Sequence, residues 1–409
     1  MKKWIPAILF LGFLGYDALG QNPDMEIERN LRRIDIPFEY ANGFIVVKVT
    51  FNDVFPLRFI FDTGAEHTIL SKREITDLLN IDYQRRFPIV GADLSKELYA
   101  YLAQGISLQL GGVKAVNRNI LVLEEDYFHF EEYTGVNVQG ILGSDFFRRF
   151  IVKINYPQGV ISLYDPQYFD PPGKGFVSVP IEINRNKPYI NAKINFHPDS
   201  SIQVRLLIDT GAGLALLLHT DTHPELKLPE KVIPSNLGAG LGGFLLGYMG
   251  RVQKLELEPF VFREVTSQFQ DIPEGIDSSL FNQRNGIIGN EILRRFTIMI
   301  DYLHEQAYLE PNRHYKDEFI HDRSGLNLIA GGLNLNDFII YGVIPGSPAA
   351  QAGLIRGDRI LSINGIPAAF LDLEGANRKF RKRVGKKMCL KIARGNTKIH
   401  VSFHLRDLI

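Results

Sequence analysis

The sequence predicts a mainly β chain made of two copies of one lobe, with a further β-rich unit behind them. Three observations carry this. A set of landmarks recurs in the same order at nearly the same spacing; the runs between landmarks alternate like strands; and after Pro311 the pattern changes to one that matches neither copy. At 409 residues the chain also exceeds what one hydrophobic core usually supports.

The first residues, Met1-Lys2-Lys3 and then the apolar run Trp4 to Tyr16, have the basic start and short greasy stretch of a secretory signal. That run is too short for a membrane span, and Asp17 follows it. Ala18-Leu19-Gly20 supplies small residues for cleavage, so residues 1–20 are expected to be a signal peptide, with the protein exported to the periplasm or outside the cell.

The first copy, within 21–170, carries Arg58-Phe59-Ile60-Phe61-Asp62-Thr63-Gly64-Ala65, then Gly140-Ile141-Leu142-Gly143, then Phe147-Arg148-Arg149-Phe150. The second, within 176–312, carries Arg205-Leu206-Leu207-Ile208-Asp209-Thr210-Gly211-Ala212, Gly286-Ile287-Ile288-Gly289 and Leu293-Arg294-Arg295-Phe296. Asp62 precedes Gly140 by 78 positions (140 − 62) and Asp209 precedes Gly286 by 77 (286 − 209), so the register is kept within one residue. Phe44 to Val49, Tyr189 to Ile194, Ile151 to Ile154 and Thr297 to Ile300 read as strands. Ser71 to Leu79, Asp145 to Phe150 and Asn290 to Phe296 read as short helices begun by Ser, Asp or Asn. Asp170-Pro171-Pro172-Gly173-Lys174-Gly175 reads as the connector.

An apolar strand ending in Asp-Thr-Gly leaves a carboxylate at a tight turn, where glycine tolerates conformations that other residues resist. If the copies pack about an approximate twofold axis, Asp62 and Asp209 meet, and two close carboxylates share a proton. The ionised member can then take a proton from water while the protonated member donates to a carbonyl oxygen. No cofactor or metal is needed for that chemistry.

These motifs resemble the pepsin-like and retropepsin-like aspartic peptidases, with both halves in one chain. The resemblance implies bilobal acid-protease β-barrels related by a pseudo-twofold, and peptides or unfolded proteins as substrates. It assigns catalysis to Asp62 and Asp209, support to Thr63, Gly64, Ala65, Thr210, Gly211 and Ala212, and backing of the active-site loops to Gly143 and Gly289. Thr63 and Thr210 would exchange hydrogen bonds beneath the pair. Flap hairpins would fall near Ile89 to Tyr101 and Ile233 to Met249, with Tyr99, Tyr101 and Tyr248 as flap tyrosine candidates. Because both halves are present, a monomer suffices. Ala65 and Ala212 lack a hydroxyl that could hold a carboxylate ionised, which predicts a weakly acidic to neutral optimum.

Residues 318–409 carry Ser324-Gly325-Leu326-Asn327-Leu328, Val343-Ile344-Pro345-Gly346-Ser347-Pro348-Ala349-Ala350-Gln351-Ala352-Gly353-Leu354, and Gly357-Asp358-Arg359-Ile360-Leu361-Ser362-Ile363-Asn364-Gly365. This stretch resembles a bacterial PDZ domain. The resemblance implies that a peptide C-terminus docks by strand addition at Gly325, Leu326, Asn327 and Leu328, aiding substrate docking or regulation.

Other function classes find little support. Lys plus Arg and Asp plus Glu both number 46, which gives no general attraction to nucleic acid or an anionic membrane. The basic run Arg378 to Lys387 reads as a solvated face. The sole cysteine, Cys389, permits no intramolecular disulfide, and there is no Gly-x-Ser-x-Gly elbow. The Gly-x-Gly-x-x-Gly spacing at Gly238 to Gly243 falls in the second flap rather than in a strand-to-helix turn, and His219, Asp221 and His223 lack a further ligand at metal spacing. The rival to the peptidase is a noncatalytic peptide-binding sensor or scaffold that uses the lobes and the PDZ domain.

Overall fold

A computed structural model describes residues 25–27, 32–90, 97–198, 200–240, 243–271 and 284–409. The expected signal peptide, 1–20, and residues 91–96 and 241–242 within the expected flaps lie outside the described residues. The fold is mainly β, and each sequence copy forms one closed sheet.

In the first lobe, strand Phe55–Phe61 lies between Phe44–Phe51 and the short strand Gly140–Leu142. The pairing with Gly140–Leu142 is parallel, Phe59 opposite Gly140 and Phe61 opposite Leu142. Ile69–Leu70 then closes on Gly140–Leu142 from the other side, and the long hairpin of Glu97–Leu110 and Val113–Leu123 completes the barrel. The second lobe repeats the arrangement: Ile202–Ile208 lies between Lys187–Asn195 and Gly286–Ile288, with Leu206 opposite Gly286. Its hairpin of Gly243–Leu257 and Phe260–Gln270 corresponds to the first.

The two copies join through a six-stranded sheet with the order Val177–Pro180, Gln306–Pro311, Phe296–Asp301, Ile151–Asn155, Val160–Tyr164, Arg33–Pro37. At its centre the two equivalent strands pair antiparallel, Ile154 opposite Ile298, and the flanking strands mirror one another. A strand pairing with its own counterpart is what a pseudo-twofold axis requires. One continuous core of buried Ile, Val, Leu and Phe runs through both lobes and under this sheet. Alternate residues of Phe44–Phe51 and Ile202–Ile208 enter it, which is why these β-branched runs become strands.

The sequence-predicted strands and short helices are all present, at Arg73–Leu78, Ser144–Phe147 and Asn290–Leu293 for the helices. One expectation is corrected. Ser71, Asp145 and Asn290 do not cap these helices; the cap positions are Lys72, Gly143 and Gly289, with no side-chain bond. Ser71 Oγ donates instead to Gln139 O at 2.9 Å, Asp145 accepts from Thr68 Oγ1 at 2.8 Å, and Asn290 is drawn into the lobe centre, as described below.

The polar stretch after Pro311 is expected to lead away into a new unit, yet it is strapped to the second lobe. The buried Arg295 donates through Nη1 to the carbonyls of His314, Tyr315 and Asp317, and its guanidinium stacks 3.8 Å from the Phe319 ring centroid. Burial, and then Arg294, bring the Arg295 pKa down to about 10. Beyond the strap the C-terminal module has a separate core, with strands Leu326–Gly331, Asp337–Val343, Arg359–Ile363, Lys387–Arg394 and Thr397–His404 and helix Leu373–Phe380.

Candidate active site

Asp62 ends one central strand and Asp209 the equivalent one, and the pseudo-twofold brings the two carboxyls together, each seated against the turn glycine of the other lobe. The turns that carry them are locked together underneath. Thr63 N–H donates to Thr210 Oγ1 at 3.0 Å and Thr210 N–H to Thr63 Oγ1 at 3.1 Å. Each hydroxyl then donates to a carbonyl of the opposite lobe, Thr63 to Ile208 and Thr210 to Phe61, both at 2.7 Å. Both threonines are wholly buried, so each of these groups would be orphaned without its partner.

Gly64 and Gly211 are needed for a different reason from the one their turn suggests. Neither appears among the positive-φ glycines. A Cβ on Gly64 would lie 2.6 Å from Asp209 Cγ, and one on Gly211 would overlap the Asp62 carboxyl. Each glycine is the floor on which the other lobe's carboxylate rests.

Gly143 and Gly289 also fit by close approach. A Cβ on Gly143 would sit 2.5 Å from the His67 carbonyl, and one on Gly289 2.6 Å from Ala212 O. The next residues reach into the turns: Ser144 Oγ and N–H both donate to Ala65 O at 2.9 Å, and Asn290 N–H donates to Ala212 O at 2.8 Å. Asn290 does more. Its buried amide donates to Thr210 O and to Gly43 O and accepts from Tyr156 Oη at 2.6 Å, tying the Asp209 turn to the first lobe. Sequence reading passed over Asn290 as a helix start; the signal was a polar residue after the second glycine of both Gly-Ile-Leu-Gly and Gly-Ile-Ile-Gly.

The electrostatics are not symmetric. Burial, then the charge on Asp209, raise the Asp62 carboxyl well above the usual range, against two N–H donors, Gly64 and Ala65, at 2.7 and 3.0 Å. Burial also raises Asp209, but the hydrogen bond from Asp62, the Arg284 cation, the Gly211 N–H at 2.8 Å and Lys187 all oppose it. The cations beside Asp209 therefore favour its ionised form, and among the described residues nothing equivalent acts on Asp62. Lys187 and Arg284 were not recognised from sequence, because nothing local marks them.

Of the flap tyrosine candidates, Tyr101 donates to Glu124 at 2.9 Å and packs on Tyr83, while Tyr99 lies under Arg86 at 3.5 Å. Tyr248 sits opposite Pro234 and Phe269 in the second hairpin. His67 faces Glu66 at 3.7 Å. Among the described residues no cluster of His, Cys, Asp or Glu has a metal-binding arrangement. His219 is buried, which, followed by the charge of Arg284, brings its pKa to about 3. No described helix is long and apolar enough to cross a membrane.

In the C-terminal module Gly325 has φ +82, and a Cβ there would overlap Ser347. Its N–H is taken by Asp322 at 2.7 Å, and that of Leu326 by Ser324 Oγ at 3.1 Å. Asn327 and Leu328 continue along the edge strand Leu326–Gly331, which pairs only with Asp337–Val343 in its sheet. The exposed edge implied for a docking peptide is not open here. Helix Phe130–Thr134 of the first lobe packs against that strand. The positive-φ Gly135 approaches so closely that a Cβ would lie 2.8 Å from Leu373 Cβ. Asn377 Nδ2 donates to Asn42 Oδ1 at 3.1 Å, and Asn42 Nδ2 donates to Tyr133 O.

Residues 47–146 match the aspartyl protease family and residues 339–394 the PDZ domain family. A stretch of 75 residues is 39% identical to the carboxy-terminal processing protease CtpB of Bacillus subtilis (strain 168); it is 18% of this chain and spans 16% of that relative's length. An aspartic proteinase from Irpex lacteus is similar in structure at 14% identity and a TM-score of 0.44, covering 70% of this chain and 99% of that one. Conglutin gamma, a basic 7S globulin from lupine seeds, is similar at 13% identity and a TM-score of 0.41, covering 69% and 96%.

Proposed function

We propose that this pepsin/retropepsin-like chain with its C-terminal PDZ domain is an exported aspartic endopeptidase. The observation that carries the reading is the facing Asp62–Asp209 pair on its reciprocal threonine lattice. In the proposed cycle a water lies between the two carboxyls. Ionised Asp209 takes a proton from it, the oxygen attacks the peptide carbonyl carbon, and Asp62 gives its proton to the carbonyl oxygen. Collapse of the diol then breaks the C–N bond. Asp209 returns its proton to the leaving amine and Asp62 recovers one from the diol, so the pair ends as it began.

The PDZ domain fits regulation better than open docking, because its edge strand is covered by helix Phe130–Thr134. Asn42 links the two sides: it accepts from Asn377, and the carbonyl of the next residue, Gly43, accepts from Asn290 beside Thr210. A peptide terminus entering that edge competes with the helix and loosens this connection to the second catalytic turn. Substrates are peptides or unfolded proteins, a single chain is sufficient, and export rests on the Met1 to Gly20 segment.

The test is cleavage of a diverse peptide library by the wild-type protein, Asp62→Asn and Asp209→Asn, with a statine-type inhibitor alongside. The proposal predicts cleavage by the wild type alone, blocked by the inhibitor. Equal cleavage by all three would remove the dyad; binding without cleavage would favour the sensor reading. N-terminal sequencing of protein recovered outside the cytoplasm, expected to begin near Gln21, tests export.

A further inference from the structure

The two lobes present opposite chemistry at equivalent positions beside the dyad. In the first lobe the ladder pairs Val46 with Ile60, so two residues further on Phe44 stands across from Asp62. In the second, Tyr189 pairs with Leu207, so Lys187 stands across from Asp209. A second equivalence follows from the strand behind. Gln139 Oε1 accepts Arg58 N–H at 2.8 Å and Asn285 Oδ1 accepts Arg205 N–H at 2.8 Å, which makes the preceding residues, Val138 and Arg284, counterparts.

The first-lobe pair is apolar. Val138 is 1% exposed and joins a cluster with Val46, Ile60 and Ile141, against which Phe44 and Ala65 pack. The second-lobe pair is cationic, and both members are partly buried. Among the described residues the carboxylates that act on them are Asp209, on both, and Glu66, on Lys187. Burial lowers both cations, and the charge of Arg284 lowers Lys187 further. Asp209 offsets part of both charges and Glu66 part of the charge on Lys187, so two cations drawn partly out of water share one carboxylate, and the wall they form favours a further carboxylate over a neutral group.

We infer that the wall of the cleft beside Asp209 is a subsite for a carboxylate of the substrate, held by Lys187 and Arg284, while the wall beside Asp62 takes an apolar side chain. This rests on the peptidase reading and adds to it a substrate class: peptides with an acidic residue on one side of the scissile bond and an apolar residue on the other. An internal Glu or Asp and a free chain terminus offer the same chemistry, and the test separates them.

The experiment uses the full chain after signal removal and matched peptides with Glu, Gln or a free C-terminal carboxylate at the position flanking the cut. Charged hydrogen bonds of this kind correspond to a Glu-over-Gln ratio in kcat/KM of about 10- to 100-fold. In Lys187→Gln and Arg284→Gln that ratio falls toward one, and in Lys187→Arg it is kept. Preference for the free terminus instead assigns the subsite to a chain end and makes the activity exopeptidase-like. A ratio near one in the wild type, or one unchanged in both Gln variants, overturns the inference. If the wild type cleaves nothing, equilibrium binding of the same peptides to Asp62→Asn decides: tighter binding of the Glu peptide keeps the subsite and rejects the hydrolase, and equal binding rejects the subsite.

Discussion

The first and second lobes share one topology but solve the support of their aspartates differently. Under Asp62 the core is aromatic: Phe61 stacks on Phe147 with ring centroids 4.1 Å apart. The counterparts in the second lobe are Ile208 and Leu293, and the aliphatic contact is supplemented by Asn290, whose amide ties Thr210 O to Gly43 O. The first lobe has Ser144 at that place, with a single side-chain bond to its own turn. Duplication preserved what both carboxyls need together, the Thr-Gly turns. It left each copy free to vary what lies beneath and beside them.

That comparison can be broken at several points, the largest effect first. Phe61→Ala should cost about 4 kcal/mol and Ile208→Ala about 3 in chemical denaturation, the former leaving the larger cavity. Equal losses would show that the aromatic stack adds nothing. Asn290→Ala should cost about 3 kcal/mol, since Tyr156 Oη, Gly43 O and Thr210 O all lose a partner, while Ser144→Ala should cost about 1. The asymmetry fails if Ser144→Ala is the more damaging. Thr63→Val and Thr210→Val should each cost about 2 kcal/mol, and the double variant less than their sum, because each removes a partner of the other.

A smaller effect sharpens the electrostatic difference. A carboxyl whose pKa is raised on folding binds its proton more tightly in the native state, so stability declines as pH rises from the unfolded value of 3.8 toward the folded one. Asn carries no such penalty. Asp62→Asn should therefore raise Tm relative to wild type, with a gain that grows as pH increases from about 4. Asp209→Asn should gain less, because Arg284 and Lys187 already favour the ionised form. A gain that shrinks with pH would reverse the assignment.

Much of this was legible in the sequence wherever a residue and its partner share a local motif. Asp62, Thr63 and Gly64, repeated as Asp209, Thr210 and Gly211, announce the pair, and the twice-used Gly-Ile-Leu/Ile-Gly announces what lies behind it. The need for Gly64 and Gly211 was visible, although its cause was not: the space they leave is taken by a carboxylate 147 positions away in sequence, from Asp62 to Asp209 (209 − 62). Lys187 and Arg284 carried no local signal, since only closure of the second barrel sets them beside Asp209. The covered PDZ edge was equally hidden, because helix Phe130–Thr134 meets strand Leu326–Gly331 only through tertiary packing.

The central claim, one dyad holding one proton on Asp62, is tested most directly by titrating carboxyl carbon-13 signals of aspartate-labelled protein, with Asp62→Asn and Asp209→Asn for assignment. The account predicts two coupled steps, both above the ordinary value of 3.8, with Asp62 the last to ionise and each step displaced when the partner is replaced. Two independent titrations near 3.8, unmoved by the partner's replacement, would contradict it.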